Sequence, residues 1–454
     1  MLTPVVFKAY DIRGIYGKDW DADGAAAIAR AFVEKFAVKT VVLGFDMRAT
    51  SIEIVAAVEK ILVAAGVRII NIGQVTTPTL YFAVANYADR EAGIMVTASH
   101  NPSEWNGMKF CLSEGSPVGE NSGLLDIKEM ALEGMFAESL ISGSVEYADA
   151  IDPSLDYVTG LVHLNDAAPM NVVIDCGNGM EGATIQKLLQ RVPAITAHVM
   201  FGDPDGTFPN HEANPLKEST LADLKKEVVA RGAAFGVAFD GDGDRIGFVN
   251  EKGEMVGADI LLALVSGELL KKHLGARILY DLRARSVVGR VIAAAGGIPG
   301  VCRVGHAFIK EQMRRENALF AGELSGHFYA KEFFSVESAD YMFLLVVQLL
   351  QTEGKSLSEL AAGLFEDAHS GEINYVVEDR AGAIKKIHEA YEARAQEVLQ
   401  MDGLSFVMHD WWFNVRPSNT EPFLRLNMET RTSETLMKYL AEFESILNAP
   451  RALH

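Results

Sequence analysis

The chain has 454 residues, 41 Lys and Arg against 61 Asp and Glu, a net charge of −20 at pH 7, and 49% hydrophobic residues. That length suggests about three or four domains, and the acidic balance argues against a nucleic-acid binder, which needs a basic face, while a local basic cleft for a small anion stays possible. Cys111, Cys176 and Cys302 stand alone, which suggests a reducing compartment and no zinc site; with no signal-peptide pattern at the N-terminus and no apolar run of the ~20 residues a bilayer span needs, the expectation is a cytoplasmic protein without a membrane partner.

Taken in order, Phe7 to Gly14 reads as an early loop displaying Tyr10 and Arg13, and Ala25 to Phe36 as a helix. Thr40 to Phe45 is a predicted strand, with Ser51 expected to cap a helix that runs to Ala65 and stops at Gly66. Val67 to Ile72 is the next strand, and the βαβ alternation implies a largely parallel sheet with its sites at strand ends. Ile94 to Val96 is a short buried strand that runs into Thr97-Ala98-Ser99-His100-Asn101-Pro102, where a serine beside a histidine is a candidate phosphate carrier; read alone, the segment is also an ordinary turn.

The same grammar returns twice. Asn171 to Ile174 and Arg277 to Tyr280 are strands followed by helices (Ala183 to Arg191, and Ser286 to Ala295). Each unit then reaches a second strand with a polar loop at its end: Gly236 to Phe239 into Asp240-Gly241-Asp242-Gly243-Asp244-Arg245, and Ala318 to Ala321 into Gly322-Glu323-Leu324-Ser325-Gly326-His327. Three diverged copies of one α/β unit whose loops face a common cleft are the simplest account. After Gly371 the pattern changes to strand Ile373 to Val377, helix Ala383 to Leu399, three strands and a last helix from Ser433, an α+β domain. The expected domains are 1–148, 149–252, 253–368 and 369–454.

Asp240, Asp242 and Asp244 alternate with glycines, and in an extended stretch alternate side chains share a face. Three carboxylates so placed repel one another unless a hard divalent cation such as Mg²⁺ neutralises them. An EF-hand fails on Arg245, which stands where that loop requires glycine, and on strand-like flanks. Arg416-Pro417-Ser418-Asn419-Thr420-Glu421-Pro422 is a candidate anion nest or a polar hairpin loop. Glu323, Ser325 and His327 suit vicinal sugar hydroxyls, and His306, Lys109, Arg245 and Arg283 add polarity and positive charge near predicted strand ends.

The segments AYDIRG, TASHNP, DGDGDR, GHAFIK, GELSGH and RPSNTEP occur in that order over essentially the whole chain. This series resembles the α-D-phosphohexomutase family, in its phosphomannomutase/phosphoglucomutase branch. The resemblance implies three related α/β domains with mixed sheets plus a C-terminal α+β domain around a central cleft. It implies Ser99 as the phosphoserine, with Asp240, Asp242, Asp244 and a Ser99 phosphate oxygen holding Mg²⁺. It implies Glu323 and Ser325 as sugar readers, and Arg416, Ser418, Asn419 and Thr420 as the loop for the non-reacting phosphate. Arg13, Lys109 and His327 fall to proton transfer and charge stabilisation; Tyr10, His100, Arg245, Arg283 and His306 line the cleft. The implied reaction interconverts hexose 6-phosphate and hexose 1-phosphate, of mannose and glucose, through a hexose 1,6-bisphosphate that also primes the enzyme. The implied assembly is a monomer or weak homodimer. A phosphoglucosamine mutase is the runner-up, and a metal-dependent sugar phosphatase the next.

Overall fold

Apolar runs of five or six residues form the centre of each of the first three sheets in the computed structural model, which describes residues 1–136, 139–165, 168–364, 367–418 and 423–452. In the first sheet, Thr40–Phe45 pairs in parallel with Arg68–Gln74 and with Ala92–Val96, and Ala92–Val96 turns back into antiparallel Trp105–Leu112. In the second, Phe235–Phe239 is parallel to Met170–Asp175 and antiparallel to Ile246–Asn250. In the third, Phe320–Gly322 is parallel to Arg277–Asp281 and antiparallel to Phe328–Ala330. Each sheet is therefore mixed, and in each one parallel strand ends in a hairpin loop: the Ser99 loop, the aspartate loop and the Glu323–His327 loop. Helices cross between the parallel strands, as such strands require.

Helix Thr77–Ala85 binds these units together. Thr77 to Val84 are all buried, as befits a helix apolar on every side. Its Phe82 ring lies 5.5 Å from that of Tyr157 and 6.5 Å from that of Phe333, so it touches all three units. One apolar cluster runs from Val75 and Leu80 through Leu155, Ile174 and Phe235 to Leu344. The fourth unit keeps its own core of Tyr375, Phe406, Phe413 and Phe443 under an antiparallel sheet. Its contacts with the third unit are polar, among them the Ser286 N–H donating to Glu429 Oε2 at 2.9 Å. All three cysteines are free and buried, and no described helix is long and apolar enough to cross a membrane.

Three local expectations need correction. Ser51 is the first residue of helix Ser51–Ala64 rather than its cap: its hydroxyl donates to Asp46 Oδ1 at 2.7 Å, which leaves the cap to Thr50 without a side-chain bond. The stretch Ala383 to Leu399 is not one helix. Helix Arg380–Tyr391 ends in a 3₁₀ turn, and Glu397–Leu399 pairs with Leu404–Val407, a cross-strand partner that helical composition cannot reveal. The aspartate loop is a tight turn, not an extended stretch. Asp240 Oδ1 accepts the N–H groups of Asp244 and Arg245 at 3.1 and 3.2 Å, with Gly243 at φ +70°.

Candidate active site

Ser99 sits at the tip of the first hairpin with φ +54°, a left-handed conformation that costs a non-glycine residue about 1–3 kcal/mol. Thr97 Oγ1 accepts its N–H at 2.9 Å. The buried guanidinium of Arg48 holds the loop from behind, donating to the carbonyls of Ser99 (2.9 Å), Asn101 (2.6 Å), Pro102 (2.7 Å) and Trp105 (2.9 Å). Its Nε donates to Asp46 Oδ2 at 3.1 Å. The Ser99 hydroxyl donates to Asp240 Oδ2 at 2.7 Å and lies 3.2 Å from His100 Nδ1. This approach needs glycine at 241, where a Cβ would fall 2.4 Å from the Ser99 carbonyl oxygen.

Asp240, Asp242 and Asp244 are all buried, with one oxygen from each within 4.8 Å of the others. Burial, then Asp244 and Asp242, push the Asp240 carboxyl up to about 8. Lys109 Nζ donates to Asp242 Oδ2 at 2.7 Å and to Asp244 Oδ2 at 2.5 Å. Burial works against the charge on Lys109, but these two carboxylates raise its pKa overall. Burial likewise opposes the charge on Asp244, yet Lys109 and His327 hold it well below the usual carboxylate range. Asp242 Oδ1 remains buried without a donor, and Asp244 Oδ1 has the His327 ring beside it at 3.2 Å. An acidic cluster with an orphaned hard oxygen fits a divalent cation, and its flanks are antiparallel strands, not the helices of an EF-hand. Glu251, at that motif's twelfth position, bonds instead to the Ser358 hydroxyl.

The third hairpin brings His327 against this cluster. Its Nε2 lies 3.2 Å from Asp244 Oδ1 and its Nδ1 3.2 Å from Glu323 Oε2. Burial opposes its charge and Asp244 favours it; Arg245, with Nε 3.2 Å from the ring, opposes it too, and the balance lifts His327 to about 9. Ser325 Oγ lies 2.8 Å from His327 Nδ1. Glu323, held down to about 2 against burial by His327, accepts the Gly305 N–H at 3.0 Å and the Tyr329 hydroxyl at 2.6 Å. Tyr10 meets His306 edge-on at 4.7 Å. Arg13 bonds Asp11 at 2.5 Å and Asn101 Oδ1 at 2.8 Å. Arg283 forks onto buried Asp281 at 2.8 and 3.1 Å, and Asp281 also accepts the Leu324 N–H at 2.7 Å, fixing the hairpin loop to the cation.

From the fourth unit, Arg416 pairs with Glu372 at 2.5 Å, and Glu372 in turn is held down, against burial, by Arg416 and Arg283. Arg416 and Ser418 are buried; Asn419 and Thr420 lie outside the described residues. Composition and motif spacing pass over Arg48, Asp46, Asp281 and Glu372. The Asp46-Met47-Arg48 segment after strand Thr40–Phe45 and the Asp281-Leu282-Arg283 segment after Arg277 to Tyr280 are local hints, being charged and at strand ends.

Four profiles of the phosphoglucomutase/phosphomannomutase family match in order: α/β/α domain I at residues 4–137, domain II at 146–253, domain III at 257–368 and the C-terminal domain at 372–446. A phosphomannomutase of Salmonella montevideo is 39% identical over 439 residues, covering 95% of this chain and 96% of the relative. Phosphohexose mutases of Xanthomonas campestris are 35% identical, covering 96% of this chain and 97% of the relative. Among solved structures, a phosphoglucomutase/phosphomannomutase family protein of Burkholderia thailandensis superposes with a TM-score of 0.90 at 31% identity over the full length of both chains. Matches of this extent, on a chain whose three hairpin loops meet at one acidic cluster, leave one conclusion: the protein belongs to the phosphoglucomutase/phosphomannomutase family and is a phosphohexomutase.

Proposed function

We propose that this phosphohexomutase interconverts the 6- and 1-phosphates of mannose and glucose through a phosphoserine at Ser99 and a hexose 1,6-bisphosphate. The observation that carries the reading is the Ser99 hydroxyl 2.7 Å from Asp240 Oδ2, beside two further buried carboxylates that offer an oxygen each within 4.8 Å. Asp240, Asp242 and Asp244 would hold Mg²⁺, which when bound supplies charge neutralisation to a phosphate on Ser99. In each half reaction the P–O bond to one oxygen breaks as the bond to the other forms, so positioning and charge do most of the work.

The chain's own groups divide that work. The Ser99 hydroxyl points its proton at Asp240 Oδ2. With that oxygen serving as a metal ligand, His100 Nδ1, 3.2 Å away on an imidazole that burial and Arg245 keep neutral, is the group within reach to take the proton when Ser99 receives a phosphoryl group. His327, raised against burial to about 9 by Asp244, and Lys109 supply positive charge and a transferable proton beside Asp244. Arg13 is locked by Asp11 and Asn101 beside the serine loop. Glu323 and Ser325 read sugar hydroxyls. Arg416 and Ser418, with Asn419 and Thr420, take the phosphate that does not react. Arg416 now faces the Glu372 carboxylate, a group of the charge and fork geometry that a phosphate would replace.

The test is a coupled assay with mannose 1-phosphate or glucose 1-phosphate, Mg²⁺ and catalytic bisphosphate. Ser99→Ala should abolish turnover and keep sugar-phosphate binding; full activity in that variant would refute the phosphoserine assignment. Turnover of glucosamine phosphate alone would transfer the reading to that sugar.

A further inference from the structure

Behind His306 lies a buried charge pair that the proposed chemistry does not use. Glu337 is wholly buried at the end of the third sheet. Its Oε2 accepts from Lys310 Nζ at 3.0 Å, and Lys310, also wholly buried, lies 4.1 Å over the Tyr81 ring of the first unit. Lys310 and His306 are four residues apart on helix His306–Glu316, hence on one face. The second oxygen, Oε1, lies 3.4 Å from His306 Nδ1, and neither atom makes a hydrogen bond in this rotamer among the described residues.

A buried carboxylate oxygen without a donor costs about 1–3 kcal/mol or more. The imidazole at 3.4 Å can remove that cost by carrying its proton on Nδ1. Burial, then Lys310 and Lys109, keep His306 neutral, so it has one proton to place. The other nitrogen, Nε2, is likewise buried and unpartnered, on a ring packed against Tyr10 and 6.4 Å from that of His327. We propose that Glu337 is a positioning residue that fixes the His306 proton on Nδ1, leaving Nε2 as an acceptor for a hydroxyl of the sugar substrate. The sugar half of this statement rests on the mutase reading; the tautomer half does not.

The experiment is nitrogen-15 spectroscopy of histidine-labelled full-length protein at neutral pH, with His306 assigned by its loss in His306→Asn. The expected result is a protonated Nδ1 and a bare Nε2. Glu337→Gln should reverse the tautomer: its single acceptor oxygen must face the Lys310 ammonium, so its NH₂ is turned to Nδ1 and drives the ring proton to Nε2. In the same variant KM for the sugar phosphate should rise about tenfold with kcat within about threefold, the loss of one hydrogen bond to bound sugar. Glu337→Asp should keep the wild-type tautomer. A wild-type proton on Nε2, or an unchanged tautomer in Glu337→Gln, would overturn the assignment of Glu337. Absence of turnover with every hexose phosphate would overturn the mutase reading instead, so the two fail separately.

Discussion

Arg48 should matter as much as any residue that touches substrate, although it reaches none. One guanidinium donates to four carbonyls of the Ser99 loop and to Asp46, and Arg48 is only 1% exposed. It also lies 5.2 Å over the Phe208 ring of the second unit, so it ties the loop to that unit as well. Arg48→Met removes all five donors and leaves Asp46 buried without its cation. Breaking a buried pair costs about 3–5 kcal/mol, and orphaned carbonyls add about 1–3 each where no water reaches them. A loss of about 5 kcal/mol is a large share of the 5–15 that holds a domain folded, so this variant should express poorly. Arg48→Lys is the sharper probe: it keeps the charge, fits the cavity and supplies three donors without the planar fork. It should fold and lose about 2 kcal/mol. Amide exchange should speed up from Thr97 to Gly107 and stay unchanged in Phe235–Phe239. Activity should fall about a hundredfold, as expected when a reacting group shifts by an ångström. Wild-type kcat together with wild-type exchange in Arg48→Lys would refute the argument.

The remaining expectations concern buried charge. Glu181 and Asp340 meet at the junction of the second and third units, both raised by burial, Asp340 from 3.8 up to about 6. The folded state thus keeps protons that the unfolded chain releases. The stabilisation is full below pH ~4 and is lost as pH rises through about 6, worth about 3 kcal/mol in all for Asp340 at 1.36 per unit; denaturant melts at pH 5 and 8 read the roughly 1.4 kcal/mol of it lost between them. Replacing both by leucine should flatten that profile and stabilise by about 1–4 kcal/mol; an unchanged pH slope would count against a shared proton. Lys109→Met should lower the melting temperature by removing the ammonium that bridges Asp242 and Asp244, and Mg²⁺ at 100 times its Kd should restore about 2.7 kcal/mol; no shift with Mg²⁺ would speak against the metal site. Glu372→Gln should leave Arg416 with Asp402 as its remaining carboxylate, at 3.5 Å, and lower KM for a sugar phosphate about threefold to tenfold, read by initial rates; a raised KM would mean that Glu372 orients the arginine rather than competing for it.

What could be read from the chain alone was what is local along it. The strand Ile94 to Val96 and the loop from Thr97 to Pro102 adjoin, as do Phe235–Phe239 and its three aspartates, so each motif carries its own structural setting. Ser51 misled because Asn106 and Asp46, which capture its hydroxyl, come from other parts of the first unit. Glu397–Leu399 misled because its partner strand, not its own composition, makes it extended. Arg48, Glu337 and the Glu181–Asp340 pair are invisible for the same reason at longer range: each has its meaning only from a group brought in by another segment of the fold. A buried cation or acid looks in sequence like any surface charge, since its cost appears only when packing removes water.

The mixed sheets explain why one architecture can carry three chemistries at one place. A parallel strand ends at the edge of the sheet where its crossover helices begin, and an antiparallel successor must return from that same edge. The connecting loop is therefore pinned at both ends by ladder hydrogen bonds, while its own residues carry little of the sheet's stability. Gly241, tolerating a backbone approach to Ser99 that any side chain would block, shows how closely two such loops can come. With their positions set by strands and by helix Thr77–Ala85 wedged among the three units, the loops are free to differ, one offering a hydroxyl, one carboxylates and one an imidazole. The fourth unit shares neither this core nor these ladders, and it meets the others through ion pairs such as that of Arg431 with Asp367 at 3.0 Å. Polar seams of this kind resemble transient interfaces and permit relative movement. On the proposed function, a substrate that presents each of its two ends in turn to Ser99 would need a rigid site for the chemistry and an adjustable one for the opposite phosphate, and the division of cores would supply both.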